Sequence, residues 1–208
     1  MIGLSGELGT WPADGQACAM CAFDIVGFTR PDRNEETQSH LRHILYGMIR
    51  EAFTGSGIPW GDCLRQDRGD GALFVLPPTI PPHVIIDPLP ERLRNLIRRN
   101  NQFTTEPARM QVRLSLNIGP VYRDEHGYSG EDINLLCRML DAPPLRRLLT
   151  DTSTELAVMI SARVHDTIVL RRPSLADPTS FRPVRTRVKQ TQIDAWIYAP
   201  GNPPDPPP

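Results

Sequence analysis

Two acids in this sequence could do chemistry together. Asp24 interrupts an apolar run, FDIVGFTR at residues 23–30, three positions before Gly27. Asp70 lies in RGDGALF, residues 68–74, at a turn between two strand-like segments. A carboxylate inside a buried strand is costly without a partner. Two carboxylates brought close together repel unless a proton or a cation sits between them. Hard oxygen ligands of this kind suit Mg2+ or Mn2+, which complete their shells with water and phosphate. Spacing alone leaves two readings open: a divalent cation shared by the pair, or a strand-end cap and a turn residue with no common role.

For the two acids to meet, a first strand must lie beside a hairpin. Residues 17–26 read as a central strand, broken by Pro31. Residues 35–54 read as a helix, with Leu41, Ile44, Leu45, Met48, Ile49 and Phe53 at helical spacing and glycines after it. Residues 60–68 and 72–76 form a predicted hairpin around Gly69-Asp70-Gly71. A second helix is expected over 90–101, with Leu93, Leu96 and Ile97 inward. Residues 110–118 alternate, placing Val112, Leu114, Leu116 and Ile118 against Gln111, Arg113, Ser115 and Asn117, a half-buried strand. A turn-rich loop, 124–130, leads to a helix over 131–142 and a short one through 149. A strand at 155–161, a short helix at 164–169 and a hairpin from 181–188 and 193–199 complete the domain. The order is β-α-β-β-α-β with C-terminal additions, an α+β, ferredoxin-like core. Residues 17–199 are expected to form one domain, preceded by an extension over 1–16 and followed by a disordered, proline-rich tail over 200–208.

The 208 residues carry a formal charge of −1, so no global field advertises nucleic acid or an anionic membrane. No apolar run approaches the roughly 18–20 residues of a membrane span. The N-terminus has no secretory pattern, and a cytoplasmic protein is expected. Cys18 and Cys21 spell C-x-x-C, but in a strand their sulfurs point to opposite faces, so buried reduced thiols are expected rather than a zinc or redox pair. Cys137 reads as a helix-packing residue. His40 and His43 read as a solvated helix face, and Arg98-Arg99 and Arg146-Arg147 as surface charge, with no interleaved aromatics to suggest nucleic acid. Among 23 basic residues only Lys189 is lysine. Codon bias explains the depletion but not the place of the survivor.

Three blocks in this order, FDIVGFT, RGDGALF and VRLSLNIGPV…GYSGEDINLLCRMLDA, resemble the motifs of class III nucleotidyl cyclases. The resemblance spans roughly residues 19–170 and, more loosely, the closing hairpin. It implies that Asp24 and Asp70, with the backbone carbonyl of Ile25, hold two divalent ions, Mn2+ or Mg2+. It implies that the N–H groups of Gly27, Phe28 and Thr29 cradle the β- and γ-phosphates of a nucleoside triphosphate. Asn134 and Arg138, one helical turn apart, would orient the ribose and stabilise charge at the α-phosphate. Lys189 falls near the family's triphosphate-binding lysine. The implied reaction yields a 3′,5′-cyclic nucleotide and pyrophosphate, in a homodimer whose sites are shared between chains.

The family's adenine-reading pair is absent. Gln66 stands where adenylyl cyclases have lysine, and Gly127, beside Tyr128, where they have aspartate; Arg65 is a further candidate base reader. An amide can donate to a carbonyl and accept from a ring N–H, which matches uracil, and the reverse pair on adenine as well. The missing carboxylate favours UTP. A free-standing cyclase with these departures resembles the pyrimidine (uridylate or cytidylate) cyclases of bacterial antiphage defence, which signal to a separate cyclic-nucleotide-responsive effector. The competing expectations are an adenylate cyclase and a cyclase-like nucleotide sensor without turnover.

Overall fold

The computed structural model describes residues 14–125, 127–172 and 174–201. Most of the expected extension and tail therefore lies outside the described residues, although Gln16 already opens the first strand. The strands are β1 (Gln16–Ile25), β2 (Leu64–Asp67), β3 (Gly71–Val75), β4 (Val112–Asp124), β5 (Gly127–Ser129), β6 (Leu156–Ser161), β7 (Arg182–Val188) and β8 (Thr191–Tyr198). The main helices are α1 (Glu35–Gly55), α2 (Leu89–Gln102), α3 (Glu131–Leu140) and α4 (Pro143–Thr152). One mixed sheet runs β2-β3-β1-β4-β6-β8-β7, with β5 paired to β4 off this path. Its first four strands are mutually antiparallel, in the expected ferredoxin-like order. β6 joins β4 in parallel, and the β7–β8 hairpin makes the far edge.

Helix α1 starts where the sequence supplies a cap: the Asn34 side chain accepts from the Thr37 N–H at 2.8 Å, and Glu35 and Glu36 fill the first turn. Its apolar stripe joins α2 over one sheet face, where Leu41, Ile49, Phe53 and Leu93 meet Phe23, Phe74, Leu114 and Val158. Helices α3 and α4 cover the other face. Ile133 and Leu136 of α3 pack on Met20, Ala22 and Val75, while Leu145 and Leu149 of α4 pack near Met159 and Ile197.

Cys21 lies in the first of these cores and Cys18 in the core under α3, so the two thiols sit on opposite faces of β1, as strand geometry requires. No helix among the described residues is long and apolar enough to cross a membrane.

Three local expectations change. Strand β2 covers only Leu64–Asp67, because residues 59–62 form a turn closed by Asp62 N to Pro59 O. β4 continues to Asp124 and folds back on β5, pairing Tyr122 with Ser129 and Asp124 with Gly127 where a loop was expected. β4 is also not half-solvated. Its polar residues face α3 and bind that helix's carbonyls: Arg113 Nη1 to Leu140 at 3.2 Å, Ser115 Oγ to Leu136 at 2.9 Å and Asn117 Nδ2 to Asp132 at 3.0 Å. The three acceptors are spaced by four residues, so one row of the helix is stitched along one strand face.

Gly71 sets how closely β3 approaches β1. A Cβ there would sit 1.9 Å from the carbonyl oxygen of Phe23, a backbone atom that cannot swing aside. Gly71→Ala is expected to destabilise the domain by about 1–3 kcal/mol, the usual cost of overpacking, read as a lower urea midpoint at unchanged m-value.

Candidate active site

The β-sheet register brings the two acids together. Asp24 is the penultimate residue of β1, opposite Gly71 on one side and Arg113 on the other. Asp70 precedes β3 directly, and its carbonyl accepts from Ile25 N–H at 3.0 Å. Asp24, Asp70, Arg68, Arg113, Cys137 and Arg146 line one cleft of about 360 Å³ on the α3 face of the sheet.

Asp24 is only 8% exposed. A cation shared with Asp70 was the partner expected for it; within the chain the partner is Arg113. The Arg113 guanidinium donates to Asp24 Oδ2 through Nε at 2.9 Å and again through Nη2. Both bonds fall on one oxygen, and the Asp70 carboxyl lies within hydrogen-bonding reach of the Asp24 carboxyl. Burial pushes the Asp24 carboxyl up to about 6; Arg113 opposes this through charge and hydrogen bonding, and the neighbouring Asp70 adds to the upward push.

The turn that carries Asp70 is tied to α1. The Asp67 carboxylate accepts from Arg42 at 2.6 and 3.2 Å, from Tyr46 Oη at 3.1 Å and from Gly69 N–H at 2.7 Å, and Arg42 also reaches the Gly69 carbonyl. Arg42 holds the Asp67 carboxyl below the usual range, with the Gly69 N–H acting in the same direction.

Residues 26–29 form a turn at the end of β1, with Gly27 at φ +62°. The N–H groups of Gly27, Phe28 and Thr29 donate to no described residue. Three adjacent free N–H groups beside a carboxylate pair can take an anion.

The other anticipated residues are placed differently. Ile25 ends β1 with its side chain in the core. Gln66 lies on the cleft face of β2, where its amide oxygen accepts from Arg68 Nη2 at 3.0 Å. Arg65 turns to the opposite face and covers the Trp60 ring at 4.9 Å. Gly127 and Tyr128 belong to β5, with Tyr128 packed against the core under α3. Asn134 is exposed and Arg138 half-buried; neither side chain bonds a described residue, and neither lines the cleft, to which α3 contributes Cys137. Lys189 is exposed at the tip of the β7–β8 hairpin, four strands from β1 and at the other end of the sheet: Asp24 is level with Arg113 and Ala157, beside the Tyr198 end of β8, whereas Lys189 precedes its Thr191 end. One chain thus gathers the carboxylates and the turn, but not Asn134, Arg138 or Lys189.

Arg113, Arg68 and Arg146 were not expected at the cleft. Arg146 read as surface charge; its side chain is 61% exposed, yet it borders the cleft and lies 3.6 Å from Asp141. Arg113 read as the polar side of an alternating strand. The available signal was an arginine on the same sheet face as Asp24, but only the β1–β4 register shows that they are neighbours. Burial raises the Cys137 thiol, in keeping with a packing role. His40 and His43 are exposed on α1.

No protein-family model and no curated protein matches the chain. Solved structures do. An adenylate/guanylate cyclase/hydrolase from Silicibacter pomeroyi superposes with a TM-score of 0.62 at 21% identity, covering 91% of this chain and 100% of that one. The guanylyl cyclase Cya2 gives 0.60 at 18%, covering 91% and 98%. The guanylate cyclase domain of RhGC from Catenaria anguillulae, solved with GTP, gives 0.57 at 15%, covering 90% and 99%. At these identities the likeness is one of fold, and the fold is that of the cyclase catalytic domain.

The raised Asp24 carboxyl has a consequence for stability. The folded chain keeps this proton to higher pH than the unfolded chain, so Asp24 contributes stability that is complete below about pH 4 and lost as pH rises through about 6. In metal-free buffer, wild type is expected to lose stability relative to Asp24→Asn between pH 4 and pH 7. Parallel urea-midpoint profiles for the two proteins would contradict this.

Proposed function

We propose that this chain is a nucleotidyl cyclase, converting a nucleoside triphosphate to its 3′,5′-cyclic monophosphate and pyrophosphate. One observation carries the proposal: Asp24 and Asp70 converge on one cleft, and the strand that carries Asp24 runs straight into the 26–29 turn, where three N–H groups donate to no described residue, in a domain with the cyclase fold. Two carboxylates at one cleft, close enough to share a proton, fit a divalent ion such as Mn2+ or Mg2+ in that proton's place. Such ions, when bound, acidify the ribose 3′-hydroxyl and neutralise the departing pyrophosphate. Asp24 and Asp70 would hold them, with the Ile25 carbonyl as a further ligand.

The chain's own groups divide the remaining work. The N–H groups of Gly27, Phe28 and Thr29 hold the β- and γ-phosphates. The ribose 3′-oxygen bonds to the α-phosphorus as the α–β bridging bond breaks and pyrophosphate leaves; the 3′-proton passes to solvent. Asn134 and Arg138 orient the ribose and the α-phosphate from a second copy of the chain, and Lys189 meets the triphosphate. The support for a homodimer with shared sites is that the Asn134, Arg138 and Lys189 side chains lie outside the cleft and bond no described residue of their own chain.

The substrate is a pyrimidine nucleotide, UTP first, because Gln66 and Gly127 replace a lysine and an aspartate that read adenine. By analogy with free-standing pyrimidine cyclases, the product is a cytoplasmic second messenger in antiphage defence, read by a separate effector. A second reading, a nucleotide sensor without turnover, draws on Arg113, which already neutralises Asp24.

Purified protein given Mn2+ and each of the four triphosphates is expected to make cyclic UMP as main product. Asp24→Asn and Asp70→Asn are each expected to lower the rate at least about 100-fold. Mixing Asp70→Asn with Arg138→Ala should restore activity through hybrid dimers. Cyclic AMP as main product would overturn the base assignment, and nucleotide binding without any cyclic product would favour the sensor.

A further inference from the structure

Arg33 is the most unusual charge in the fold. It is 4% exposed, yet no carboxylate among the described residues forms an ion pair with it. Its guanidinium is satisfied only by carbonyls: Nη1 donates to Val26 at 3.0 Å and Gly27 at 2.9 Å, Nε to Pro107 at 3.0 Å and Nη2 to Arg109 at 2.6 Å. The nearby acid, Asp32, is engaged with Arg30 at 3.0 and 3.1 Å. Burial pushes the Arg33 pKa down, the Arg30 charge acts the same way, and the Asp32 charge opposes them in part. A buried cation with no direct ion pair is expensive, so the site holding it has a use for positive potential.

The geometry of the turn shows that use. In a trans peptide the C=O and the following N–H point in opposite directions. Both the Val26 and Gly27 carbonyls are drawn to Arg33, so the N–H groups of Gly27 and Phe28 are aimed together to the other side. The left-handed φ of Gly27 allows successive peptides to lie this way. These are two of the three N–H groups that find no acceptor among the described residues.

We infer that Arg33 is a positioning residue for a polyphosphate: it fixes the carbonyl side of the 26–29 turn so that the N–H side forms an anion cradle, and the bound phosphates add the negative charge that no direct ion pair gives it. Arg33 itself touches no phosphate. The inference deepens the cyclase proposal and rests on it for the substrate class.

The probe is inorganic tripolyphosphate with Mn2+, titrated calorimetrically into wild type, Arg33→Gln and Arg33→Lys. Arg33→Gln is expected to weaken binding at least tenfold, about 1.4 kcal/mol. Arg33→Lys keeps the charge but has three donors for four carbonyls, and should fall between. In turnover, Arg33→Gln should raise KM with kcat nearly unchanged; a merely structural loss would lower kcat by reducing the active fraction. If Arg33→Gln does not fold, the Arg33 Nε–H resonance of wild type provides the test: it should shift and exchange more slowly when tripolyphosphate binds. Tripolyphosphate binding that is unchanged in folded Arg33→Gln, or that leaves this resonance untouched, overturns the role of Arg33 alone. Wild type that binds no tripolyphosphate removes the cradle as well. Arg33-dependent binding without a cyclic product would sink the cyclase proposal and leave this inference standing.

Discussion

A carboxylate buried at the end of a central strand is held by an arginine from the next strand and faced by a second carboxylate from the strand on its other side. Asp24 tolerates burial because Arg113 bonds one of its oxygens, and Arg113 is itself anchored to the end of α3 through the Leu140 carbonyl. The same row of contacts, continued by Ser115 and Asn117, fixes α3 on the sheet. The position of α3, the depth of the cleft and the state of Asp24 therefore depend on one another. Moving Arg113 would leave a buried acid unpaired and loosen the helix that roofs it.

Around this ion pair, each remaining part of the site is held by a separate device. A backbone hydrogen bond sets Asp70 against the end of β1. The Arg42–Asp67–Tyr46 cluster steadies the preceding turn from the other side of the sheet. Although exposed, it is a two-pronged arginine–carboxylate contact reinforced by a hydroxyl and a backbone N–H, a better-defined arrangement than a lone surface pair. Arg33 governs the 26–29 turn from below. The acids and the 26–29 turn are thus each tied to neighbouring elements by hydrogen bonds, while Asn134 and Arg138 stand one turn apart on α3. In the proposed cyclase, the second chain completes a half-site that is already organised.

Much of this was legible in the sequence because it follows from local rules. The strand before Gly27, the helix over 35–54 and the Gly69-Asp70-Gly71 turn each announce themselves, and their order implies the ferredoxin-like core. The divergence of Cys18 and Cys21 follows from strand geometry alone. What was hidden depends on register and on who covers whom. Alternation in β4 looks the same whether the polar face meets water or a helix carbonyl row, so Arg113, Ser115 and Asn117 read as solvated. Arg33 looked like one more arginine in an arginine-rich chain. Arg65 and Gln66 are adjacent in sequence, yet opposite faces of a four-residue strand separate the one over Trp60 from the one at the cleft.

The most direct measurement is anomalous diffraction at the manganese edge from crystals grown with Mn2+ and a non-hydrolysable UTP analogue. The account predicts manganese within about 2.5 Å of carboxylate oxygens from both Asp24 and Asp70, with the triphosphate over the 27–29 turn. Manganese absent from this pair, with Arg113 as the sole cationic partner of Asp24 while the nucleotide is bound, would contradict it.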